Sequence, residues 1–228
     1  MFAAPNEVCR TLLAGHLPGR LSIAPGFVSH PATHATTIAG DILIAAYDDT
    51  PTGRALSTTW EGTHAVLSAK DERPFPESPW LGRARACGRL HPVPAPGQRA
   101  AALAFAEVNP LADLLDLGAG LRLYHLRLDV LVHDHESRTL ISAAGFRAAV
   151  PDPLHPIERE LLDDLRRHHC TDLAPLTGTP SDRLAPVRLD RHGITLSTPA
   201  LRRVDFPEPA DCPSCVSRML RLSHADHP

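Results

Sequence analysis

The chain has 228 residues with 23 basic and 26 acidic side chains, a net charge of −3 with histidine neutral. Hydrophobic residues make up 43% and charged residues 21%, which excludes a disordered or fibrous chain and suffices for one large core or two small ones. The near balance of charge argues against a nucleic-acid binder, and apolar runs broken within about ten residues argue against a membrane span, which needs ~20.

In chain order, residues 7–17 predict a short helix, with Val8, Leu12 and Leu13 at helical spacing and Pro18-Gly19 as its stop. Strands are expected at 20–24, 36–39 and 42–47, the last two forming a hairpin through Ala39-Gly40-Asp41. Further strands fall at 63–68 and 83–90, separated by a proline-rich loop over 71–79. Ala100, Ala101, Leu103, Ala104, Ala106 and Val108 predict an alanine-rich helix ended by Pro110, and 111–117 gives a turn or two. Residues 121–132 alternate strictly and form the clearest strand. Pro151-Asp152-Pro153 reads as a linker. Beyond it come a helix over 157–170, strands at 187–190, 194–196 and 201–206, and a final helix over 213–222. The expected organisation is an α+β chain with a strand-rich barrel domain over 1–150 and a small α+β domain over 151–228.

The start of the chain carries no basic head followed by an apolar stretch, so a soluble, cytoplasmic protein is expected. Five scattered cysteines then read as reduced thiols. Cys212-Pro213-Ser214-Cys215 adds a C-x-x-C pair at a helix start, suited to redox chemistry but lacking the second ligand pair of a zinc site. His133-Asp134-His135-Glu136 and the His30/His34 pair offer metal-ligand types, with a polar turn and a Pro31-broken segment as the plainer readings. Nearly all the positive charge is arginine, Lys70 being the single lysine.

Several stretches together resemble a known family. They are Gly82-Arg83-Ala84-Arg85 to Pro92-Val93-Pro94, Ala106-Glu107-Val108-Asn109-Pro110, Glu158 to His169, Leu189 to Ile194, and Arg202 to Pro209. They resemble split-barrel proteins of the pyridoxamine-phosphate-oxidase type carrying the C-terminal domain of HugZ-type haem-utilisation proteins. The resemblance implies a split β-barrel (FMN-binding-like), a homodimer and haem as cofactor, with FMN as the alternative. The helix departs from the family pattern, with Asp164 where the first histidine stands and His169 at the second. No cluster matches the flavin-phosphate contacts of the active oxidases.

On a continuous helix, positions 162, 165 and 169 share one face, so His169 is expected beside the leucines, as a haem ligand requires, while His168 points away. A histidine held at a helix end by the dipole is the plainer account. Arg166, with Arg167, Arg202 and Arg203 as neighbours, offers guanidinium forks for propionates. His224 and His227 near the C-terminus are implied by the resemblance as further ligands. The expected function is haem binding, either to degrade haem or to sense and buffer it. The alternatives are a flavin-dependent oxidoreductase and a non-catalytic regulatory protein.

Overall fold

The computed structural model describes residues 3–58 and 62–225. α1 (Pro5–Leu12) leads into β1 (Gly19–Ile23), β2 (Val28–Thr36), β3 (Ile42–Tyr47), α2 (Pro51–Ser57), β4 (Thr63–Lys70) and β5 (Arg83–Pro92). α3 (Gln98–Ala106), β6 (Leu121–Asp134), β7 (Arg138–Ile141) and α4 (Ala143–Ala148) follow. The strands lie in the order β3-β2-β1-β4-β5-β6-β7, and β3 also pairs with β6 from Ile42↔Leu126 to Tyr47↔Leu121. That extra ladder closes β1–β6 into a six-stranded antiparallel barrel, with β7 an appended hairpin strand. This is the split barrel expected from the sequence.

The strands follow from their side-chain period. β5 alternates buried Ala84, Ala86 and Leu90 with outward Arg83, Arg85 and Arg89. β3 is apolar throughout because both of its faces are covered, and α3 lays Ala101 and Phe105 against Leu43, Leu121 and Leu123. The 14 residues of β6 serve three partners: β3 along the first half, β5 along nearly the whole strand, and β7 at the end.

Several expectations are corrected. α1 ends at Leu12 because Gly15 turns the chain at a φ of 124°, ahead of the Pro18-Gly19 stop. The β2–β3 hairpin is as expected, but its first strand lies at 28–36, and 37–41 are the turn. His30 and His34 therefore sit on a strand, about 13 Å apart along it, too far to share an ion. Pro31 pairs opposite Arg20, where its missing N–H is tolerated. α2, β7 and α4 carried too little periodicity to be anticipated.

The remaining elements are α5 (Glu158–His168), α6 (Cys170–Thr177), β8 (Ala185–Asp190), β9 (Gly193–Ser197), β10 (Leu201–Asp205) and α7 (Pro213–Ala225). β10-β9-β8 form a three-stranded antiparallel sheet. Contacts divide the chain into the barrel unit, Pro5–Asp71 with Leu81–Pro151, and a second unit that joins Glu72–Trp80 to Asp152 onward. The proline-rich loop between β4 and β5 thus belongs to the second unit. Ser78 donates its hydroxyl to the Val187 carbonyl at 2.5 Å, and Arg159 donates to the Pro74 carbonyl at 2.6 Å. Leu154, Leu162, Leu189, Ile194, Leu196 and Met219 are buried at the heart of this unit. Among the described residues no helix is long and apolar enough to cross a membrane.

Candidate functional site

The second unit contains a hollow of about 760 Å³ bounded by residues of α5, α6 and α7. Leu161 and Leu165 of α5, Leu173 and Pro175 of α6, and Val216 and Leu220 of α7 supply apolar wall. Asp164, His169, Thr171, Asp172, Ser214, Ser217 and Arg221 add polar groups, so that half of the lining residues are polar. Its volume falls within the range of about 300 to 1,000 Å³ usual for a small-molecule site.

His169 is where the single expected helix breaks in two. Its φ of −128° and ψ of 11° leave the helical region, although its N–H still donates to the Leu165 carbonyl at 2.9 Å. Its own carbonyl opens α6, accepting from Asp172 and Leu173 at 3.0 and 3.1 Å. The face expected from a continuous helix is thereby corrected: Leu162 and Leu165 are buried, whereas the His169 side chain is 46% exposed. It lines the hollow rather than lying among the core leucines. Nδ1 lies 2.9 Å from the Asp172 carboxylate and Nε2 3.9 Å from that of Asp164. A carboxylate at Nδ1 fixes the tautomer and ring orientation, leaving Nε2 as the donor to a ligand.

The arginines expected beside it are engaged elsewhere. Arg166 donates Nε to the Pro186 carbonyl at 2.8 Å and Nη2 to Glu77 at 2.7 Å. Its guanidinium also lies 3.2 Å from the centre of the Phe75 ring, and its pairing with Glu77 holds that carboxyl below the usual range. Arg166 is thus turned onto the 72–80 segment and is absent from the hollow's lining. Arg167 lies 4.0 Å from Asp163, Arg202 donates to the Thr177 carbonyl at 2.6 Å, and Arg203 forks onto Asp190 at 2.7 and 2.8 Å. The arginine on the hollow is Arg221, which sequence reasoning missed; the spacing of Ser217, Leu220 and Arg221 on the expected last helix was the available signal. His224 lies within α7, and His227 lies outside the described residues.

The other expected clusters resolve as follows. His133 shares a hydrogen bond of 2.7 Å between Nε2 and the Leu81 carbonyl, and its ring stacks on that of His135 with centres 6.0 Å apart. Among the described residues no group of three or more histidine, cysteine or acidic side chains is placed to hold a metal ion. Cys212 and Cys215 are joined by a disulfide, which corrects the expectation that all five thiols are reduced; Cys9, Cys87 and Cys170 are free. The barrel unit has a separate hollow of about 530 Å³ whose lining includes Val28, His30, Thr58, Thr63 and His64.

The closed barrel with its appended helices, in a chain that also carries a small antiparallel sheet, defines an α+β split-barrel protein. No protein-family model and no curated protein matches the chain. Among solved structures it is similar to a haem-binding protein from Mycobacterium smegmatis, at a TM-score of 0.73 and 15% identity, over 100% of this chain and 98% of that one. A protein of unknown function from Agrobacterium tumefaciens aligns at a TM-score of 0.44 and 20% identity, covering 98% of this chain and 100% of its own. The FAD-binding protein from M. smegmatis aligns at a TM-score of 0.39 and 15% identity, over 61% of this chain and 98% of its own.

Proposed function

We propose that this protein binds haem in the hollow bounded by α5, α6 and α7, with Nε2 of His169 as the iron ligand. The second unit is then a HugZ-type domain in which one histidine of the family pair serves. One observation carries the reading: an imidazole anchored at Nδ1 by Asp172 stands at a hollow of about 760 Å³ with leucines in its wall. The donor set fits the group. A neutral imidazole nitrogen suits iron, Leu161, Leu165, Leu173 and Leu220 would shield the bound group from water, and Arg221 would be the cation for a propionate. The whole-chain likeness to a haem-binding protein supports haem as the ligand.

Bound haem supplies the redox-active iron for oxygen chemistry or, without turnover, a sensed or buffered ligand. Asp172 holds the imidazole in orientation. Asp164, where the family writes histidine, lies 3.9 Å from Nε2 and would place a second carboxylate beside the nitrogen that holds the iron. Haem titrated into apo-protein and followed at the Soret band tests the assignment. His169→Ala is expected to abolish the ligand-bound spectrum, and Asp164→Asn to strengthen binding. Unchanged spectra in His169→Ala refute it. The homodimer expected of the class is tested by light scattering of the purified chain.

One observation favours flavin as a second reading. Arg89 stands directly opposite Arg127 on the β5–β6 ladder, next to the His91↔His125 pair. Like charges opposed across strands are unfavourable, and a bound anion such as the FMN phosphate relieves them. Flavin absorbance in the purified protein, lost in Arg89→Ala, selects this reading.

A further inference from the structure

The Cys212-Pro213-Ser214-Cys215 motif plays no part in the function just proposed, and its surroundings single out one sulfur. Cys212 caps α7: its carbonyl accepts from the Val216 N–H at 3.0 Å, and its Sγ accepts from the Cys215 N–H at 3.2 Å. Pro213 takes the first helical position, where its missing N–H costs nothing. Ser214 Oγ lies 3.1 Å from the same sulfur. A thiolate at Cys212 is therefore met by a backbone donor, a hydroxyl and the positive end of a 13-residue helix. The preceding acid, Asp211, is drawn 2.7 Å from Arg191 Nη2, which neutralises its charge. Both cysteines are partly exposed, with Cys215 packed against the apolar core of the unit. The other thiols differ. Burial pushes Cys9 up to about 12, and burial also raises Cys87 and Cys170.

We propose that Cys212 and Cys215 form a reversible thiol–disulfide site that exchanges with an external dithiol through Cys212. In the reducing direction a thiolate of the external dithiol attacks Sγ of Cys212. The Cys212–Cys215 bond breaks, a mixed disulfide forms at Cys212, and Cys215 leaves and takes up a proton. The second sulfur of the external dithiol then attacks its own partner sulfur and closes the reagent's disulfide. Cys212 departs as the thiolate that the Cys215 N–H receives. The protein gains two electrons and one proton, with Cys212 left as the thiolate; the dithiol is oxidised by the same two electrons, and its second proton is released to solvent. Pro213, Ser214, Val216 and Ser217 line the hollow, so this exchange acts on its wall.

The test equilibrates the full chain, purified without reductant, in mixtures of reduced and oxidised dithiothreitol at neutral pH. Acid quenching and maleimide tagging in denaturant then count the thiols. The expected result is three tags at the oxidising end and five at the reducing end, joined by one two-electron transition with an unchanged far-ultraviolet spectrum. In Cys215→Ser the remaining Cys212 is expected to react with a small aromatic disulfide about threefold faster at neutral pH than Cys215 does in Cys212→Ser, its larger thiolate fraction outweighing the weaker nucleophilicity of a stabilised thiolate. A pair that exchanges only after denaturation overturns the proposal, as do five tags in oxidised dithiothreitol or equal rates in the two variants. No readout uses haem, so failure here and failure of haem binding are separate results.

Discussion

His34 provides a quantitative test of the barrel. It lies on β2 with 1% of its surface exposed, and neither ring nitrogen has a well-aligned hydrogen-bond partner among the described residues. Burial pushes its pKa down to about 4 from 6.5, a fall that the Ala32 backbone partly offsets and His16 deepens. The folded barrel therefore prefers the neutral ring, whereas the unfolded chain protonates at the ordinary value. The resulting stability is fully present above pH 6.5 and is lost as pH falls toward about 4. At roughly 1.4 kcal/mol per pH unit, that gap amounts to about 3 kcal/mol. His34→Gln removes the titration while its cost in packing stays independent of pH. Urea unfolding of both proteins from neutral pH to about pH 4 is expected to show the wild type losing about 3 kcal/mol more than the variant. A parallel loss in the two proteins, or a folded-state imidazole titrating near its ordinary value by NMR, refutes the reasoning.

Two further predictions concern the second unit. Glu158 and Arg188 form an ion pair at 3.4 Å with both side chains 4% exposed, and Glu158 also accepts from the Leu189 N–H at 2.8 Å. Glu158→Ala buries the arginine without this carboxylate, and chemical unfolding should register a loss of about 3–5 kcal/mol. A change within experimental error counts against the pair. Arg166→Met removes the stack on Phe75, the Glu77 ion pair and the Pro186 bond together, so a broad-specificity protease is expected to cut within 72–80 faster than in the wild type. Mass spectrometry of the early fragments gives the answer, and an unchanged cleavage pattern speaks against that anchoring.

The barrel was legible wherever one side of a strand was buried, because a period of two survives in the residues themselves. β5 and β6 were found within two residues for that reason. β2 was not, since Ser29, His30, Pro31 and His34 read as loop material, and their strand conformation depends on pairing with β1 and β3. Closure through β3 and β6 was beyond reading, because it joins segments about 80 residues apart whose local patterns are silent about each other. In the second unit the helix-forming residues run on through His169, and nothing in their spacing marks the break that turns the imidazole away from the leucines. Arg166 was misdirected for a related reason: its partners, Phe75 and Glu77, come from a segment that sequence order assigns to the barrel.

The second unit is assembled from two stretches of chain separated by half the barrel, and this bears on how the protein is made and how it can be edited. A gene fragment beginning at Asp152 encodes a body lacking the Phe75 platform and the Ser78 clasp, so truncation at the apparent linker yields an unfinished object. During synthesis residues 72–80 emerge first and wait for α5 and β8 to arrive. The connection between β4 and β5 looks like an ordinary surface bend, the sort of place where tags and insertions are usually accepted. Here an insertion strikes two bodies at once.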